Sequence, residues 1–123
     1  MSGFAPAVPP PLFDKVFNIT GDMSVTCDTL LFYTHSYIRI LFWTQISGSP
    51  TYTFALHEIL NDGSDINIFG SANHSATFDA VVGNCAGSLT PYLPNIGYIV
   101  FTVSAGTTPS GTVRIIIYGE SDV

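Results

Sequence analysis

The chain contains few residues that could carry acid–base or metal chemistry, and their spacing favours neither. The three histidines, His35, His57 and His74, lie far apart in the sequence, whereas zinc sites usually take two ligands from one helical turn or one strand. Glu58 is the only carboxylate well inside a predicted strand, and glycoside hydrolysis would need a second carboxylate facing it. We therefore expect no catalytic residue, no metal and no cofactor, and we predict that the chain is not an enzyme.

The two cysteines, Cys27 and Cys85, permit one disulfide. The favoured interpretation is that both are free thiols, since an unpaired cysteine commonly behaves as a small buried apolar side chain. The disulfide remains the alternative at this point.

Charge is scarce in this sequence. Charged residues make up 10% of the 123 residues, against about 25% in an average soluble domain. The only cations are Lys15, Arg39 and Arg114, too few to neutralise a row of phosphates or to hold an anionic membrane surface. We therefore exclude nucleic acid and membrane as partners. A charge-poor surface is typical of a protein whose surface is covered by neighbouring subunits.

Hydropathy argues against membrane insertion and secretion. No segment reaches the roughly 20 apolar residues that a bilayer-spanning helix needs. The first residues have neither the basic region nor the apolar region of a secretory signal. Either the chain is made and used without export, which the initial Met favours, or a signal has already been removed.

Residues 1–14 differ from the rest of the chain because four prolines hold them extended and remove backbone donors. We predict an arm that lays its side chains on a neighbouring molecule; a frayed terminus is the alternative. The partner-binding residues of this arm are predicted to be Phe4, Val8, Pro9, Pro10, Pro11, Leu12 and Phe13.

From residue 15 to residue 123 the apolar pattern has a period of two, with turn residues at short intervals. No window shows the periodicity and caps of a helix. The pattern predicts an all-β domain, an antiparallel β-sandwich or small jelly roll, preceded by the extended arm. Residues 36–46 should form a central strand that makes a hairpin with residues 51–60, and Asn61-Asp62-Gly63 should form a tight turn.

Three segments carry a resemblance to a known family: the arm SGFAPAVPPPLFD, the hairpin RILFWTQISGSPTYTFAL and the ending YIVFTVSAGTTPSGTVRIIIYG. Together they resemble the decoration (cement) proteins of tailed-bacteriophage heads. The resemblance implies a virion structural protein, made in the host cytoplasm, that sits on the outer surface of the capsid. It would bind between subunits of the major capsid protein, together with copies of itself as a dimer or trimer, and stabilise the head.

A carbohydrate-binding β-sandwich, lectin-like or adhesive, is the alternative function. Sugar sites use exposed aromatic rings that stack on pyranose faces, with polar groups beside them. Tyr92, in a predicted loop between two prolines, is the candidate platform. Tyr98, Tyr118 and Trp43 are further candidates, although we expect core packing to be the commoner fate of each, Trp43 above all.

Overall fold

The computed structural model describes residues 10–47, 50–75, 77–104 and 110–120, and within them the chain forms nine β-strands and no helix. The strands are β1 (Phe13–Ile19), β2 (Met23–Thr26), β3 (Leu30–Leu31), β4 (Tyr37–Ser47), β5 (Thr51–Ile59), β6 (Asp65–Gly70), β7 (Phe78–Gly83), β8 (Ile96–Ser104) and β9 (Ser110–Glu120).

The strands build two antiparallel sheets that pack face to face. One is four-stranded, in the order β1-β9-β4-β7. The other is five-stranded, in the order β2-β8-β5-β6, with the short β3 also paired to β8. The predicted all-β sandwich is confirmed.

The pairing is nested around the turn at residues 60–64. Strand β5 pairs with β6, β4 with β7, β2 and β3 with β8, and β1 with β9. The chain is therefore one long antiparallel ribbon, folded so that β4 lies beside β9 and β5 lies beside β8. This is the strand order of a jelly roll.

The predicted hairpin between residues 36–46 and 51–60 is wrong. Strand β4 lies in the four-stranded sheet and β5 in the five-stranded sheet, so the chain crosses from one sheet to the other between them. Both are central strands, and each already has two other partners. Alternation of apolar residues marks a half-buried strand but does not identify its neighbour.

The core lies between the sheets and is rich in aromatic rings. Phe42 of β4 is at its centre, with its ring centroid 4.5 Å from that of Phe78 and 5.1 Å from that of Phe101. Most of the fully buried side chains come from alternate positions of the strands, as the period of two requires, and Phe32 comes from the connection after β3. The largest are Tyr52, Phe32, Phe42, Phe54, Phe101, Ile38, Ile40, Leu56, Ile99, Ile115, Ile117 and Val82.

The turn between β5 and β6 forms as the sequence predicts. Gly63 has a positive φ of 87°, a backbone conformation that residues with a side chain rarely adopt. The Asp62 carboxylate accepts a hydrogen bond from the backbone N–H of Ser64 at 2.9 Å, and the Leu60 N–H donates to the Ser64 carbonyl at 2.7 Å. This turn closes the innermost pair of the nested ribbon.

Candidate functional site

One end of the sandwich concentrates the exposed apolar side chains. This loop end consists of residues 27–36, 60–64 and 84–95 together with residues 10–12 before β1. Six of the nine large apolar side chains that are exposed among the described residues lie in these connections or at the strand ends beside them. They are Leu31, Tyr33, Leu60, Leu89, Tyr92 and Ile96. A concentration of exposed apolar side chains in one region is typical of an interaction surface.

The connections of the loop end are tied to one another by backbone hydrogen bonds. The Phe32 N–H donates to the Asn95 carbonyl at 2.8 Å, and the Asn84 N–H donates to the Ser36 carbonyl at 2.8 Å. Within residues 84–95, the Ser88 hydroxyl lies 2.8 Å from the Thr90 carbonyl and also contacts the carbonyls of Gly83 and Cys85. The exposed side chains are therefore presented by a defined framework.

The last predicted arm residues emerge at this same end, but they do not all belong to an arm. Pro10 and Pro11 are exposed. The Leu12 N–H donates to the Ile117 carbonyl at 2.7 Å, and Leu12 packs against the core. Phe13 is the first residue of β1, is buried and stacks on Phe101 at 6.3 Å.

The predicted boundary at residue 14 is therefore wrong, because the β1–β9 ladder and the core already include Leu12 and Phe13. Phe13 is buried in its own domain, and Leu12 is half-buried against the same core. The other predicted arm residues, Phe4, Val8 and Pro9, lie outside the described residues.

Tyr92, the predicted sugar platform, lines a cavity of about 250 Å³ at the loop end. Its side chain is 47% exposed, and Tyr33, which lines the same cavity, is 62% exposed. The polar groups of the cavity come from His35, Asn84 and other residues of the two loops. Glu58 lines a neighbouring cavity with Leu60 and Ile96.

Both cysteines are free thiols in the structure, so the alternative of a Cys27–Cys85 disulfide is not formed. Cys27 is buried, and its sulfur accepts a hydrogen bond from the Ile99 N–H at 3.0 Å. Burial raises the pKa of the Cys27 thiol, which keeps it protonated and unreactive at neutral pH. Cys27 acts as a core residue that extends the β2–β8 pairing.

A second exposed surface lies on the outer face of the four-stranded sheet, around Trp43. Residues Val16, Trp43, Gln45, Thr112 and Arg114 line a shallow depression of about 320 Å³ there, which we call the Trp43 face. Trp43 is 53% exposed and Val16 is 61% exposed. The expectation that Trp43 packs in the core is wrong: it follows Phe42 on the strand and points to the opposite side of the sheet.

Strand register builds the Trp43 face from three distant parts of the chain. Arg114 of β9 lies directly opposite Val16 of β1 on one side and Trp43 of β4 on the other. In the next row, Thr112 lies between Asn18 and Gln45 in the same way. The face therefore presents one aromatic ring and one small apolar side chain beside amide, hydroxyl and guanidinium groups.

Both arginines lie on this outer face and both are paired. Arg114 donates from Nε and Nη2 to the two carboxylate oxygens of Asp14 at 2.8 and 2.6 Å. The hydrogen bond from Arg114 holds the pKa of Asp14 below its ordinary value. Arg39 makes an equivalent two-point contact with Asp79, with its Nε 3.0 and 2.9 Å from the two carboxylate oxygens. A guanidinium group that makes two hydrogen bonds to one carboxylate is fixed in orientation.

A group of titratable side chains lies on the outer face of the five-stranded sheet. The His57 and Tyr98 rings stack at 4.8 Å, and the Tyr98 hydroxyl donates to Asp65 at 2.7 Å. That hydrogen bond raises the pKa of Tyr98. The carboxylate of Asp65 lies 3.4 Å from Nδ1 of His57. The group lies on an exposed sheet surface, and we interpret it as a cross-strand contact that fastens β6 to β5 and β8.

Within the described parts of the chain, no three His, Cys, Asp or Glu side chains converge as metal ligands would. Those same residues include no helix that is long and apolar enough to cross a membrane.

Sequence reasoning singled out Tyr92 and the arm as candidates, and both remain predictions; it did not predict the Trp43 face as a unit. Its signal was present in the alternation of β4, where Trp43 and Phe42 necessarily point to opposite faces. The partners Val16 and Arg114 carry no comparable signal, because only the strand register places them beside Trp43. Comparison of the chain with protein-family models, with curated proteins and with solved structures finds no match.

Proposed function

We propose that this chain is a structural protein that acts by binding, and that it decorates a protein shell in the manner of the tailed-phage head proteins it resembles. In this proposal it lies on the outer surface of the capsid, contacts the major capsid protein and copies of itself, and stabilises the head. The observation that carries the proposal is the concentration of exposed apolar side chains at the loop end, from which the proline-rich segment also emerges.

The loop end has the properties that docking requires. Large apolar side chains contribute about 25 cal/mol per Å² when they are removed from water. A stable contact of ordinary size covers about 800 Å² of each partner. Six such side chains on a hydrogen-bonded framework provide the apolar centre of a contact of that kind, and they lose little loop entropy on binding because the framework is already formed.

The proline-rich segment adds to this surface. Residues 1–11 contain Phe4 and Val8 together with four prolines, which restrict the backbone. An extended segment of this composition loses less entropy on binding than a flexible one. Many copies on a symmetric shell would add avidity to each weak contact.

The arrangement of the titratable residues supports binding over catalysis. The closest group, His57, Asp65 and Tyr98, lies on an open sheet surface, where water would compete for each proton. Catalytic acids and bases are usually found in clefts that perturb their pKa values. No cofactor enters the proposal.

The test is addition of the purified protein to empty tailed-phage heads stripped of their own decoration protein, with occupancy measured by sedimentation and electron microscopy. Deletion of residues 1–11 should lower occupancy while the thermal unfolding midpoint stays the same, because the β1–β9 ladder is intact. The double substitution Leu31→Asp with Tyr33→Asp should also lower it.

The matched control is Thr53→Asp, on the outer face of the five-stranded sheet and far from the loop end. It should leave occupancy unchanged. Full occupancy by both the deleted protein and the loop-end variant would overturn the proposal, as would failure of the unaltered protein to bind any head.

A further inference from the structure

The Trp43 face lies on a different surface from the loop end, and apolar burial alone does not explain its composition. Phe42, the preceding residue, is fully buried in the core, whereas half of the Trp43 side chain faces water. A tryptophan left this exposed gives up about half of the free energy that its full burial would contribute to folding. Its neighbours in the depression are polar: Gln45, Thr112 and the guanidinium of Arg114.

We propose that the Trp43 face is a binding site for a neutral saccharide, with one pyranose ring stacked on the Trp43 indole and its hydroxyls hydrogen-bonded to Arg114, Gln45 and Thr112. A pyranose has an apolar C–H face and a rim of hydroxyls that both donate and accept. The Trp43 face has the complementary arrangement, with an aromatic plane beside amide, hydroxyl and guanidinium groups on neighbouring strands about 5 Å apart.

The charge of the face favours a neutral ligand over an anionic one. Asp14 accepts two hydrogen bonds from Arg114, so it balances the charge of that side chain. Asp79 balances Arg39 on the same face. Asp14 takes two of the five N–H donors of the guanidinium, and three remain for ligand hydroxyls. Asp14 is thus a positioning residue that fixes the plane of the donors.

A protein partner fits this face less well than a saccharide. The apolar centre of a protein interface is large and depleted of charge. Here, among the described residues, the only large apolar side chains that are exposed are Trp43 and Val16. Leu41 is half-buried and Ile116 is buried on the same face. The Arg114–Asp14 and Arg39–Asp79 pairs lie on the same sheet face and would have to be covered. The depression has a volume of about 320 Å³, within the range of small-molecule sites.

Trp43 is the only tryptophan in the chain, so its fluorescence reports directly on this site. The full chain would be screened on an array of neutral and sialylated glycans, and titrated with cellohexaose, chitohexaose, maltoheptaose and mannohexaose while tryptophan emission is recorded. We expect at least one neutral glycan to change the emission saturably, with a Kd on the order of 0.1 mM, as one shallow site provides.

Calorimetric titration of variants with the glycan ligand tests whether it binds at the Trp43 face. Trp43→Ala should weaken binding at least about tenfold and Trp43→Phe should weaken it less, since a smaller ring keeps part of the stacking. Arg114→Lys, which keeps the charge but loses the planar fork, should weaken binding severalfold. Tyr33→Ala and Tyr92→Ala are the matched controls, being exposed aromatic residues at the loop end, and should leave the affinity unchanged.

Four outcomes would overturn the proposal. They are the absence of any glycan ligand in both screens, binding restricted to sialylated glycans, loss of binding in Tyr92→Ala but not in Trp43→Ala, and an emission change that depends on protein concentration alone. The last result would make the face a contact between copies of the chain.

Discussion

The two faces of strand β4 use the same kind of residue for different purposes. On the inner face Phe42 is fully buried and contacts the rings of Phe78 and Phe101. On the outer face Trp43 is half-exposed, beside Arg114 and Gln45. Both side chains are large and aromatic, and they are adjacent in the chain.

Within β4, the inner-face residue Phe42 therefore serves the stability of the fold, and the outer-face residue Trp43 is available for recognition. Burial between the sheets explains Phe42 completely, because a jelly roll needs a filled core between its layers. Nothing in the packing requires a tryptophan at position 43. An aromatic residue that folding does not need is a candidate for binding, and substitutions on either face of β4 can test this division.

The largest effect is expected from Phe42→Ala. It removes a fully buried ring at the centre of the aromatic cluster and leaves a cavity, which should lower the free energy of unfolding by about 3–5 kcal/mol. Chemical denaturation monitored by circular dichroism measures the loss. A decrease below about 1 kcal/mol would show that the inner face is less tightly packed than the structure indicates.

Tyr52→Phe should act in the opposite direction, by about 1 kcal/mol. The Tyr52 hydroxyl faces the core near Phe42 and is buried without a hydrogen-bond partner among the described residues. Burial also raises the pKa of this phenol. Removing an unpaired buried oxygen should leave stability unchanged or increase it. A clear decrease in the unfolding free energy would reveal a partner for this hydroxyl.

Trp43→Ala should change the unfolding free energy by only about 0.5 kcal/mol, because the side chain is half-exposed and lies outside the core. The same denaturation experiment, performed beside Phe42→Ala, gives the contrast directly. A loss comparable to that of Phe42→Ala would mean that Trp43 is needed for folding, and the division between the two faces of β4 would fail.

The smallest effect concerns the ion pair beside Trp43. The pKa of Asp14 is lowered in the folded protein by the hydrogen bond from Arg114, so the pair stabilises the fold above the unfolded pKa of about 4. That contribution is lost as the pH falls through the lowered folded pKa. Since the pair is largely exposed, its contribution to the free energy of unfolding is small.

Asp14→Asn tests this contribution. The variant should be slightly less stable than the unaltered chain at pH 7, and the difference should disappear in acid. Thermal unfolding of both proteins from pH 7 to pH 2 in low salt measures it. A difference that grows on acidification would contradict the assignment of the lowered pKa.

The sequence predicted the strands of this protein better than their partners. Alternation predicted the all-β class and the segments that form β4 and β5, and Asn61-Asp62-Gly63 predicted the turn that joins β5 to β6. The sequence pattern could not show that β4 and β5 belong to different sheets. A hairpin and a crossing between sheets both join two alternating strands by a short connection.

The same reason limits what could be predicted of the candidate sites. Tyr92 is marked by the prolines around it, and it is exposed as expected. The Trp43 face depends on the alignment of β1, β9 and β4, and alignment between strands so distant in sequence has no local signal. The misplaced arm boundary has a related origin, since the pairing of Leu12 with Ile117 follows only from the β1–β9 register.

The nested ribbon also determines how the protein reaches its native state. The salt bridge between β1 and β9 joins residues 100 positions apart, and only the β5–β6 pair is local. Loops of such length must close before their contacts compensate the lost chain entropy, so folding is expected to start at the Asn61–Ser64 turn and to take milliseconds to seconds. During translation β1 is the first strand to be synthesised, but its partner β9 is the last. Strand β1 therefore stays unpaired until β9 has left the ribosome.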